Sequence, residues 1–138
     1  MAAERARTGD LAVLFSGGLD SAVLLARACA PRPGMEEPPA RIQPIYVSTG
    51  LAWEEQEIAC ATDLLRAAPY AGRTEPLIRL GVDMRDVFPP GHWAVRGAAP
   101  AYDTPDEDVY IEGRNVVLLS KAAVFMVRAG LSTVLVGS

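Results

Sequence analysis

The chain has 138 residues, 50% of them apolar and 22% charged, with 13 basic and 17 acidic side chains for a net charge of −4. That length and balance suit one globular domain with a core of its own and exclude a disordered, collagen-like or disulfide-stapled chain. The acidic excess weighs against a broad electrostatic grip on nucleic acid, and no apolar run reaches the roughly 18 residues of a membrane span.

The only cysteines, Cys29 and Cys60, cannot form a disulfide framework. The apolar run at residues 11–15 is too brief for the core of a signal peptide, so a cytoplasmic protein is expected.

Residues 11–15 (LAVLF) form a short continuous apolar run, which predicts a strand buried on both faces. It stops at Ser16-Gly17-Gly18-Leu19-Asp20, and residues 21–30 then predict a helix with Val23, Leu24, Leu25 and Ala28 toward the core. Pro31, Pro33, Gly34, Pro38 and Pro39 predict a loop. A second strand is expected over residues 42–47, leading into Ser48-Thr49-Gly50.

A helix should follow over residues 53–68, with Ile58, Ala61, Leu64 and Leu65 at helical spacing. Its first turn carries Glu54, Glu55 and Glu57, favourably placed near a helix N-terminus. A third strand is expected over residues 75–80. Residues 83–110, rich in Pro and Gly, then predict a long loop of the binding or lid kind. Asn115 reads as an N-cap and Gly130 as the C-terminal stop of the next helix. That helix is apolar nearly all round, which predicts burial, and residues 133–136 predict the last strand. The alternation implies an α/β fold, a mostly parallel sheet with helices on both faces, in one domain over residues 1–138.

In such folds ligands bind beyond the carboxyl ends of the strands, which is where Ser16-Gly17-Gly18-Leu19-Asp20-Ser21 falls. Adjacent glycines admit backbone angles closed to other residues and allow close approach to the main chain. Several N–H groups can then converge on an anion at a helix start, with Ser16 and Ser21 adding hydroxyls. A carboxylate at Asp20 disfavours bare phosphate and suits Mg²⁺ held against phosphates. The loop has neither the G-x-x-x-x-G-K-[ST] nor the G-x-G-x-x-G pattern, so other phosphate-loop classes are set aside.

The SGGLDS pattern resembles the pyrophosphate-binding PP-loop of the N-type ATP pyrophosphatases, whose fold is the adenine nucleotide alpha hydrolase-like one. The resemblance implies that the loop holds the β- and γ-phosphates of ATP as leaving group while a substrate oxygen attacks the α-phosphorus; a nucleophile then displaces AMP. A second block, Tyr110-Ile111-Glu112-Gly113-Arg114-Asn115 and the helix after it, resembles the V-P-G-R-N segment of the 7-cyano-7-deazaguanine synthases of queuosine biosynthesis, with Glu112 in place of proline. That likeness implies a carbon–nitrogen ligase converting 7-carboxy-7-deazaguanine and ammonia to the nitrile, with release of AMP and pyrophosphate. It assigns Asp20 and Arg114 to catalysis, and Phe15, Ser16, Gly17, Gly18, Leu19, Asp20, Ser21 and Arg114 to the nucleotide. Asp20 would carry Mg²⁺, and adenine would meet the backbone at Phe15 and residues 45–47.

Two departures stand out. The synthases hold zinc on four cysteines after the strand that here ends at Gly137; this chain ends first, and Cys29 and Cys60 do not match that cluster, so an ATP-binding domain lacking the C-terminal segment is expected. Residues 46–51 (YVSTGL) instead resemble the strand end of other PP-loop enzymes, including GMP synthetases. Another PP-loop amidotransferase, a tRNA-thiolating enzyme and an inert ATP-binding module are the alternatives. The expected partners are a deazapurine carboxylate and ammonia, with no membrane and no nucleic acid; a homodimer is compatible.

Weaker signals read as ordinary structure. His92 is expected at the surface; Trp53 and Trp93 could stack on a purine, with packing on the sheet the favoured role, and Glu54 and Glu57 could face the substrate, with a solvated first turn favoured. Cys29 and Cys60 are expected to be buried thiols on apolar helix faces. Residues 103–108 are expected in a solvated acidic loop, and Lys121 on an exposed helix face.

Overall fold

The computed structural model describes residues 10–30, 41–97, 103 and 113–137. They form β1 (Leu11–Leu14), α1 (Leu19–Cys29), β2 (Ile42–Ser48), α2 (Glu54–Leu64), β3 (Ile78–Gly81), α3 (Trp93–Arg96), α4 (Arg114–Ala129) and β4 (Val134–Leu135). The expected loops at 31–40 and 98–102, the acidic residues Asp106, Glu107 and Asp108, and Tyr110 to Glu112 of the second family-like block lie outside the described residues. Asp103 is exposed in a turn.

All four strands pair in parallel, in the order β3-β2-β1-β4. The chain builds outward on one side from β1 to β3 and then crosses to set β4 against the other side of β1. The side-chain alternation of a strand divides the core into two. Leu11, Val13 and Phe15 of the β1 segment meet Leu25, Ala28 and Cys29 of α1 and Ala61 of α2 on one face. Ala12, Ile45 and Val47 meet Met126 of α4 and Leu131 on the other. The α/β architecture with helices on both faces of a parallel sheet is therefore as expected. No helix among the described residues is long and apolar enough to cross a membrane.

Several local expectations are corrected. Helix α1 begins at Leu19, not two residues later, because Gly18 is its extended N-cap (φ −73°, ψ 168°). Helix α2 stops at Leu64, and β3 runs Ile78–Gly81. The long loop contains α3, capped by His92, whose Nδ1 accepts from the Ala94 N–H at 3.2 Å. His92 is thus half-buried, not a surface residue. Gly113, with φ 68°, precedes α4 as its N-cap, so Asn115 is a residue within the first turn and not the cap.

Gly130 (φ 70°) does stop that helix: its own N–H reaches Val127 O at 3.4 Å and the next, Leu131 N–H, reaches Met126 O at 2.9 Å, a Schellman arrangement. Helix α4 is not well buried, since only Ala122 and Met126 are, while Val124 and Val127 are 65% and 81% exposed. Lys121 is exposed as expected. Cys29 is buried, but Cys60 is exposed, so the expectation of two buried thiols holds for one. Trp53 and Trp93 stack on each other, with ring centroids 5.3 Å apart and 12° between planes, and His92 stacks on Trp93 at 5.7 Å. Pairing of the two indoles takes the place of separate packing on the sheet.

Candidate functional site

The order β3-β2-β1-β4 makes β1 the strand from which the order of successive strands reverses, and open α/β sheets place ligands in the crevice outside the carboxyl ends of the strands at such a point. The chain leaves β1 through Phe15 and Ser16 and turns at Gly17, whose φ of 81° lies in the region that favours glycine. A Cβ there would sit 3.1 Å from both Cα and N of Ala61, so Gly17 is required twice, by its dihedral and by the close approach of α2.

The loop fastens itself with its serines. Ser21 Oγ donates to Gly18 O at 3.1 Å and lies 3.3 Å from both Ser16 N and Ser16 Oγ, while Gly18 N–H donates to Ser16 Oγ at 3.2 Å. The hydroxyls are turned onto the loop, and the donors left over are backbone ones. Among the described residues the N–H groups of Gly17, Leu19, Asp20 and Ser21 have no acceptor. These are the orphan amides of a helix start, at the positive end of its dipole. Leu19 and Asp20 are exposed in the first turn of α1, which puts one acidic residue at that end of the helix.

The loop opens into a cleft of about 180 Å³ whose lining includes Phe15, Ser16, Ser21, Tyr46, Glu57 and Arg114. Ile45, Val47, Leu118 and Leu119 give it apolar walls, and Asn115, Val136 and Gly137 complete the rim. Of the eight sequence-predicted site residues, Phe15, Ser16, Ser21 and Arg114 line this cavity together with residues 45–47, whereas Gly17, Gly18, Leu19 and Asp20 are not part of its lining. That volume is below the roughly 300–1,000 Å³ of drug-sized pockets. Phe15 N–H donates to Ile45 O at 2.9 Å, so this amide is engaged in the sheet and cannot also serve a base.

Arg114 opens α4 and is half-buried, and its Nε is buried with no acceptor among the described residues. A guanidinium N–H without a partner is costly to bury, and its fork suits phosphate or carboxylate. Tyr46, buried on β2, donates its hydroxyl to Glu57 Oε2 at 2.7 Å. Burial first, then the Glu57 hydrogen bond and the charges of Glu57 and Glu54, push the phenol well above its ordinary value, against a smaller opposite pull from Arg114. Tyr46 thus stays protonated and keeps donating.

Three features differ from what the sequence favours. Glu54, expected in solvent, is only 4% exposed and ties down the β2–α2 loop. Its Oε1 accepts from Ser48 Oγ at 2.6 Å and from Gly50 N–H at 3.0 Å, and its Oε2 from Thr49 N–H at 2.9 Å. Glu57 was likewise expected in solvent and instead lines the cleft. Gly137 was noted as a strand end but not as part of the site; a Cβ there would come within 3.2 Å of Asp20 C and 3.3 Å of Ser21 N, so β4 ends pressed against the glycine loop.

A lone carboxylate such as Asp20 fits Mg²⁺ held mainly by phosphates, the usual arrangement for that ion in nucleotide sites. Cys29 and Cys60 lie on different helices, and no cluster of three His, Cys, Asp or Glu side chains occurs among the described residues.

Fold and site together define an α/β chain with a glycine loop at the point of a parallel sheet where the strand order reverses, beside a small cleft. Set against protein-family profiles, curated proteins and solved structures, the chain matches none.

Proposed function

We propose that the chain is an ATP-binding, adenylating domain of the PP-loop type, which activates a carboxylate by transferring AMP to it and releases pyrophosphate. The observation that carries this reading is the convergence, in one cleft, of Ser16 and Ser21 from the two ends of the glycine loop and a buried Arg114 Nε that lacks an acceptor among the described residues. The loop amides of Gly17, Leu19, Asp20 and Ser21 receive the β- and γ-phosphates. Asp20 holds Mg²⁺ against them, and Arg114 takes the negative charge that builds on the α-phosphate as the substrate oxygen attacks. The adenosine half lies toward Phe15 and Ile45 to Val47.

The acceptor follows from the resemblance of the segment around Arg114 to the deazaguanine synthases: a 7-carboxy-7-deazapurine, with ammonia as the later nucleophile. The adenine nucleotide alpha hydrolase-like fold belongs to the same proposal.

The reading is tested by incubating the protein with Mg-ATP, ammonia and 7-carboxy-7-deazaguanine and separating the nucleotide products. AMP with pyrophosphate is expected, dependent on the acid. ADP with phosphate as sole products would overturn the adenylating mechanism.

A further inference from the structure

The geometry points to Glu57 as the residue that selects the nucleoside half of the ligand, accepting a hydrogen bond from the adenine amino group or a ribose hydroxyl. This rests on the nucleotide reading above and adds to it a side chain that discriminates between nucleotides.

Glu57 is on the first turn of α2 and lines the same cleft as Arg114. One of its oxygens is pinned: Oε2 accepts from Tyr46 Oη at 2.7 Å, and Tyr46 is only 3% exposed, so the carboxylate has a fixed support. The other, Oε1, accepts from no group among the described residues. Arg114 does not neutralise it, for the two form no ion pair although both act on the Tyr46 phenol. A small, partly apolar cleft thus holds two opposite charges that do not pair with each other. A ligand meeting both needs donors at one end and an anion at the other, as a nucleoside phosphate has.

A carboxylate only accepts. It therefore favours a 6-amino group and repels a 6-oxo group at the same place.

The test measures affinities of the full chain for Mg-ATP, Mg-ITP, Mg-2′-deoxy-ATP and Mg-3′-deoxy-ATP, in the wild type, Glu57→Gln and Tyr46→Phe. Wild type should prefer ATP over at least one analogue by about tenfold, the worth of one charge-assisted hydrogen bond. ITP being the poor ligand assigns the base amino group, and a deoxy analogue assigns the ribose. Glu57→Gln should bring that preference to within about twofold. Tyr46→Phe, which keeps the carboxylate but unpins it, should lower it partway and serves as the variant of record if Glu57→Gln melts early.

Equal affinity for all four nucleotides in the wild type, or an unchanged preference in both variants, overturns the role of Glu57 and leaves nucleotide binding standing. Failure of the wild type to bind any of the four overturns both.

Discussion

Glu54 and Glu57 are three positions apart on the first turn of α2, yet one holds the fold and the other faces the cleft. The sequence favours a solvated first turn for both over one that faces a substrate, because helical periodicity says nothing about a loop that curls back over its own helix. The backbone of Ser48 to Gly50 does so, directing two N–H groups and a hydroxyl at Glu54. Removing that carboxylate leaves buried donors without an acceptor, and each such donor costs about 1–3 kcal/mol. Glu54→Ala should therefore lower the unfolding free energy by about 2–4 kcal/mol, read from urea titrations, with Glu54→Gln losing less. A change below about 0.5 kcal/mol, as at an ordinary surface position, would show that the loop does not depend on it. The glycine loop was far more legible, since paired glycines and small polar residues between a strand and a helix have few other uses. Its inward-turned serines were not, because a hydroxyl can rotate to serve either the loop or a ligand.

Among the elements, α4 departs most from expectation. Its composition is so apolar that no stripe stands out, and burial on all sides was the natural inference. In the folded chain it packs on the sheet through Leu118, Ala122, Phe125, Met126 and Ala129, spaced as one helical face, and turns Val116, Val124 and Val127 outward. Which face goes inward is decided by the sheet, where Ile45 and Val47 project from β2, and not by α4 itself. The alternating order of strands and helices was readable for the opposite reason: each buried strand is a short apolar run closed by turn residues, a signal that needs no partner. Two substitutions one residue apart test the orientation of α4. Met126→Ala, at a side chain 6% exposed, should cost about 2–4 kcal/mol. Val127→Ser, at one 81% exposed, should stay within about 0.5 kcal/mol. Denaturant melts that reverse this order would mean that the helix presents its other face to the sheet.

At the scale of the molecule, the site is where the fold is most interconnected. The glycine loop leaves the sheet between its neighbours β2 and β4, leans on Ala61 of α2 through Gly17, and is met by Gly137 from beyond β4. A ligand held there touches both halves of the sheet, so it binds the folded chain and has no equivalent in the unfolded one. Mass action then makes nucleotide binding visible as stability: at a hundredfold excess over Kd, about 2.7 kcal/mol. For a chain of this size that raises the melting temperature by on the order of 10 °C. Because Asp20 is the acidic residue in the first turn of α1, the increment with ATP should need Mg²⁺ and shrink on adding EDTA. Asp20→Asn should remove the difference between ATP and Mg-ATP while leaving the melting of the unliganded chain near its original value, since Asp20 is exposed and makes no ion pair among the described residues. A wild-type shift identical with and without Mg²⁺ would take the metal away from Asp20. It would leave the anion to the loop amides and Arg114 alone.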